Sequence, residues 1–160
     1  MKHLKRIGLT AALLVTLVAG LGSAPASASK LPGMPTCSAT NLVGHYTAGG
    51  GGLAELDLYW DAAHRTNCVK MAHLGAAYGH AAHTNVQIFT CTTNTAGQTC
   101  YVLSENPPYY GSDDGNYEYY AGLASVTGSA HCIYAAGFLD WGGRTYKIET
   151  SSTGAGTHCG

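Results

Sequence analysis

Six cysteines constrain this chain more than any other feature, because all six lie beyond a leader that reads as an export signal. Lys2, Lys5 and Arg6 precede an apolar run from Ile7 to Leu21, and small residues then lead to Ala26-Ser27-Ala28. These are the charged, apolar and small-residue parts of a secretory signal, with cleavage expected after Ala28. The run of about 15 residues falls short of the ~20 that span a bilayer. An exported chain meets oxidising conditions, so an even cysteine count predicts three disulfides, drawn from 15 connectivities. Zinc ligation by these cysteines is excluded by spacing, since no C-x₂₋₄-C pair occurs.

Cys91 and Cys100 flank Thr92-Thr93-Asn94-Thr95-Ala96-Gly97-Gln98-Thr99, a run of turn formers between two strand-like segments. A hairpin there sets the two cysteines opposite each other at the ~5.5 Å Cα separation a bridge needs. No turn signal fixes the other four. Neighbouring links, Cys37–Cys68 and Cys132–Cys159, are the expectation.

The mature chain, Ser29 to Gly160, is one domain in size. It retains five basic and nine acidic residues, a net charge of −4 with histidine neutral. A weakly acidic chain without a basic cluster excludes nucleic acid as a partner and excludes electrostatic attachment to a membrane after signal cleavage. Residues 1–28 are read as the signal peptide, 29–52 as a Pro/Gly-rich segment ending in four glycines, and 53–160 as a single β domain.

Strand signals dominate that domain. Across Leu53 to Asp61, Ala54, Leu56, Leu58 and Trp60 alternate with Glu55, Asp57, Tyr59 and Asp61, the period of a half-buried strand. Cys68 to Ala72 reads as its partner. Leu74 to Ala82 is broken by glycines and reads as a loop or bent strand. Val86–Thr90 and Tyr101–Ser104 form the expected hairpin, Asn106 to Gly115 a long loop, and Tyr117–Gly122, His131–Ala136 and Arg144–Thr150 further strands. Short strands at this spacing predict an all-β, disulfide-stapled sandwich or barrel.

Catalytic signatures are sparse. The chain has no G-x-S-x-G elbow, H-E-x-x-H or P-loop. His73, His80 and His83, with His64 upstream, are the weak metal candidates, but their H-x₆-H-x₂-H spacing matches no common ligand pattern. Glu55, Asp57 and Asp61 share a strand face and read as a solvated stripe rather than a glycosidase pair. No catalytic residue, metal or cofactor is expected. Eleven tyrosines are unusual at this length. Tyr109, Tyr110, Tyr117 and Tyr119 are the candidate binding residues, because exposed tyrosines stack on sugars or proteins with little loss of side-chain freedom.

Several segments carry a likeness. Tyr117-Glu118-Tyr119-Tyr120-Ala121-Gly122, Val126, His131-Cys132-Ile133, Trp141-Gly142-Gly143 and His158-Cys159-Gly160 resemble the spore-associated protein A family of small secreted proteins from filamentous actinobacteria. Leu56-Asp57-Leu58-Tyr59 through Asn67-Cys68-Val69 is similar to the same family. The resemblance implies export and association with the spore or aerial-cell surface, and it brings no catalytic residues. The expected function is therefore a secreted, non-enzymatic extracellular protein at the spore or cell surface, its partner a surface polysaccharide or protein. A carbohydrate- or wall-binding module is the alternative. A secreted hydrolase, or a hydrolase inhibitor using the Asn106–Gly115 loop, ranks below it.

Overall fold

A computed structural model describes residues 30–128 and 130–160. The expected signal peptide lies outside the described residues. Among the described residues eight strands, β1 (Leu42–Ala48), β2 (Ala54–Asp61), β3 (Thr66–His73), β4 (Ala82–Thr90), β5 (Tyr110–Tyr117), β6 (Tyr120–Thr127), β7 (Ile133–Trp141) and β8 (Arg144–Glu149), make two sheets. The first has the order β1-β2-β3-β6 and the second β5-β4-β7-β8, with every pairing antiparallel. The fold is the expected all-β sandwich, and its disulfides are Cys37–Cys68, Cys91–Cys100 and Cys132–Cys159.

Alternation on β2 explains how the sheets meet. Leu56 and Leu58 are fully buried, paired across the ladder with Met71 and Val69 of β3. From the second sheet, Val86, Ile88, Ala135 and Leu139 close the core against them. Each large side chain removed from water contributes ~1.5–3 kcal/mol. The sheets are joined by the tight β5–β6 turn, whose flanking strands belong to different sheets. At that crease the backbones come very close: a Cβ on Gly111 would stand 2.5 Å from the Ser125 carbonyl oxygen.

Four expectations are corrected. First, the Pro/Gly-rich segment does not stand apart from the β domain. Leu31 N–H donates to the Ser112 carbonyl at 3.0 Å, Thr66 Oγ1 donates to the Thr36 carbonyl at 3.0 Å, and Ser125 Oγ donates to the Pro35 carbonyl. Cys37 then bridges to Cys68. β1 follows within the same segment as an edge strand. Second, 110–115 is not loop but most of β5. Third, Tyr117–Gly122 is not one strand, since it straddles the β5–β6 turn. Fourth, Tyr101–Ser104 does not pair as a ladder; its contact with the preceding arm is a single antiparallel bridge, Cys91 to Val102, with flanking bonds from Thr92 N–H to the Tyr101 carbonyl and from Leu103 N–H to the Thr90 carbonyl. The Cys91–Cys100 bridge closes that turn with Cα atoms 4.9 Å apart.

Candidate binding surface

The register of the first sheet defines its outer face. His45 lies opposite Asp57, Asp57 opposite Lys70, and Lys70 opposite Gly122; in the next row Thr47, Glu55, Ala72 and Tyr120 align. The segment 34–38 crosses the same face at its other end, over Cys68 and Ser125. One end of the face is therefore roofed, and the end carrying Glu55, Lys70 and Tyr120 stays open.

At the open end Glu55, Lys70, Ala72, His73, Leu74, Tyr78, Tyr119 and Tyr120 line a cleft of ≈ 370 Å³. Three rings stand at its rim, with Tyr78 61%, Tyr119 47% and Tyr120 50% exposed. Two loops present them. Tyr78 ends the short 3-10 turn Gly75–Ala77, and Tyr119 sits in the β5–β6 turn. Backbone bonds lock the loops together: His73 N–H donates to the Tyr119 carbonyl at 2.8 Å, and Gly79 N–H to the Glu118 carbonyl at 2.9 Å. Gly75 is required, because its φ is +49° and a Cβ would meet the Gly52 carbonyl oxygen at 2.3 Å. Tyr78 and Tyr119 pack edge to face, with centroids 5.1 Å apart.

Beneath the rings runs a polar row. Asp57 is almost fully buried, not solvated as expected. Its Oδ1 is 2.8 Å from His45 Nδ1, while Tyr59 OH donates to Oδ2 at 3.0 Å and Lys70 Nζ lies 3.2 Å from the same oxygen. Burial pushes the Asp57 carboxyl up, but donors from His45, Lys70 and Tyr59 outweigh it and hold the group below its ordinary value. The hydrogen bond to Asp57 raises the His45 imidazole against a smaller effect of burial. Burial lowers the Lys70 ammonium, yet Tyr59 and Asp57 raise it further. Its Nζ also lies 5.8 Å from the Tyr59 ring centroid and 6.0 Å from that of Tyr120, within cation–π range. Asp61 is likewise buried and hydrogen-bonded, so the acidic side of β2 is no solvated stripe.

The four tyrosines singled out from sequence do not form one surface. Tyr110 and Tyr117 are seven positions apart on β5 and so point to opposite sides of the sheet. Tyr110 is outward, stacked on Phe89 at 4.9 Å. Tyr117 faces the core and its hydroxyl donates to buried Asp113. Tyr109 is at the margin of exposure in the loop before β5. Only Tyr119 reaches the cleft. The histidines also separate. His73 is buried against Thr84 Oγ1 at 2.7 Å, with burial lowering its basicity. His80 packs near Trp141. His83 spans Asp114 and Asp140 on the second sheet at 3.2 and 3.1 Å. Sequence reasoning missed Tyr78, Lys70 and His45. A tyrosine set between glycines, as in Ala77-Tyr78-Gly79, is a signal for an aromatic held out on a loop.

No family model, curated protein or solved structure matches the chain.

Proposed function

We propose that this is a secreted, non-enzymatic extracellular protein held at the spore or cell surface by binding an envelope polysaccharide. Three disulfides are compatible with an oxidising compartment. The observation that carries the binding role is the set of three exposed tyrosines around one open cleft, above Glu55 and Lys70. Flat rings stack on the apolar faces of sugar rings, and the flanking carboxylate and ammonium accept from and donate to hydroxyls. The non-enzymatic reading is supported by the state of Asp57. A glycosidase acid needs a carboxyl with a raised pKa, and this one is pulled the other way. The inhibitor reading keeps less of its loop, since 110–115 belongs to β5 and 106–109 alone remain outside a strand.

The test is retention on purified cell wall and spore envelope. The variant Tyr78→Ala with Tyr119→Ala loses at least about tenfold in retention, while its melting temperature changes little because both side chains are exposed. Tyr109→Ala retains binding. Equal retention by the double variant would remove the cleft from the function.

A further inference from the structure

His45, Glu55 and Asp57 bring one imidazole and two carboxylates together at the β1–β2 seam, with all three ligand atoms within 4.8 Å of one another. We infer that these three side chains form a site for a first-row divalent cation of the zinc class, at the edge of the tyrosine cleft.

Geometry and donor chemistry support this assignment. A tetrahedral ion with ligands at ~2.0–2.2 Å holds its ligand atoms about 3.3–3.6 Å apart. His45 Nδ1 is 2.8 Å from Asp57 Oδ1 and 4.0 Å from Glu55 Oε2, so the observed separations bracket that edge length. The cross-strand register fixes two of the three positions, because His45 and Asp57 are direct partners, and Glu55 follows two residues away on the same face. Asp57 is aimed by groups outside the trio: Tyr59 and Lys70 occupy Oδ2 and leave Oδ1 toward His45. Such support behind a ligating carboxylate is the usual companion of a metal site. Glu55 is only partly covered, and beyond the 4.0 Å approach to His45 it makes no hydrogen bond among the described residues. One nitrogen and two oxygens suit zinc or its first-row neighbours. Calcium takes six to eight oxygens and magnesium a near-ideal octahedral oxygen shell. The half-exposed imidazole leaves room for water at the remaining positions. Lys70, 3.2 Å from Asp57 Oδ2, weakens cation binding by like-charge repulsion.

Calorimetric titration of Zn²⁺ into the metal-stripped, disulfide-intact protein reads the site directly, without any glycan. The expected result is one saturable site per chain. His45→Ala and, separately, Glu55→Gln each weaken it at least about tenfold, and Tyr59→Phe weakens it about tenfold through Asp57. His83→Ala, on the other sheet, leaves it unchanged. Cobalt substitution gives visible absorption bands in the unaltered protein and none in His45→Ala. Melts in chelator confirm that both ligand variants fold, since neither side chain is in the core. Absence of saturable binding below about 1 mM overturns the site. So does unchanged affinity in His45→Ala, or loss of binding in His83→Ala.

Discussion

Ser38 directs both of its donors at one oxygen: its backbone N–H and its hydroxyl reach Asp61 Oδ2 at 2.8 and 2.7 Å. Asp61 Oδ1 accepts the N–H groups of Ala63 and His64 at 3.0 and 3.2 Å, and the His64 ring approaches Oδ2 at 2.7 Å. One buried carboxylate thus holds both the turn after β2 and the segment leading into β1.

That arrangement sets the acid limb of stability. The Ser38 hydroxyl, and after it His64, hold the Asp61 carboxyl well below its ordinary 3.8. A group whose folded pKa is depressed contributes stability that is fully present above the unfolded value and is lost as pH falls through the folded one. Melting curves taken from about pH 5 down to about pH 2 should show the unaltered protein losing stability. Asp61→Asn starts lower at neutral pH and declines less over the same interval. Parallel declines would show that Asp61 is not the source.

The crease between the sheets tolerates no side chain at Gly111. An added methyl would meet the Ser125 carbonyl oxygen at 2.5 Å, the Ser125 nitrogen at 2.7 Å and Met34 Sδ at 2.8 Å. Gly111→Ala should therefore lower stability in urea unfolding by about 3 kcal/mol. Gly52→Ala, whose Cβ would come no closer than 3.9 Å to the Gly49 carbonyl oxygen, changes it by less than ~0.5 kcal/mol. Similar values for the two would mean that β5 and β6 can separate at little cost.

Removing bridges one at a time should separate their contributions by span. Cys37–Cys68 spans 31 residues and Cys91–Cys100 spans 9. In the chain-entropy model these correspond to about 3.7 and about 2.6 kcal/mol. The Cys37→Ser, Cys68→Ser pair should lose more than the other pair by a margin wider than these values differ, because it also releases the segment across the first sheet. A larger loss from the Cys91→Ser, Cys100→Ser pair would contradict that order.

His83 offers a titration with a definite sign. Its hydrogen bond to Asp114 raises the imidazole above 6.5 against a smaller effect of burial, and the lesser contribution of the bond to Asp140 adds to the rise. NMR titration should find its midpoint above that of an unstructured histidine, moving down in Asp114→Asn and again when Asp140→Asn is added. The accompanying stability is present below pH 6.5 and fades as pH rises through the folded midpoint. It is small, since all three groups are substantially exposed. A midpoint indifferent to both substitutions would show that the carboxylates do not hold the ring.

Where local chemistry and tertiary environment agree, the sequence was a good guide. β2 alternates because Ala54, Leu56 and Leu58 face the core closed by the second sheet, and its boundaries are legible to within a residue. β5 was illegible because Tyr110-Gly111-Ser112-Asp113-Asp114-Gly115 has the composition of a turn. What makes it a strand is tertiary: Gly111 is needed where β6 approaches, and Asp113 is buried because the Tyr117 hydroxyl and Gly122 N–H donate to it. β1 hid for the opposite reason, since as an edge strand it buries little and shows no strong apolar alternation. The cleft was only partly legible. Tyr119 stands out in sequence, but its neighbours Tyr78 and Lys70 come from distant turns and strands that only the register brings together.

The bridges follow one another along the chain without interleaving, each cysteine joined to the next. A polypeptide delivered N-terminus first into an oxidising space would present Cys68 while Cys37 is its sole available thiol, and the same holds for each later pair. Correct cross-linking then needs no proofreading by an isomerase, because the order of arrival alone chooses the partner.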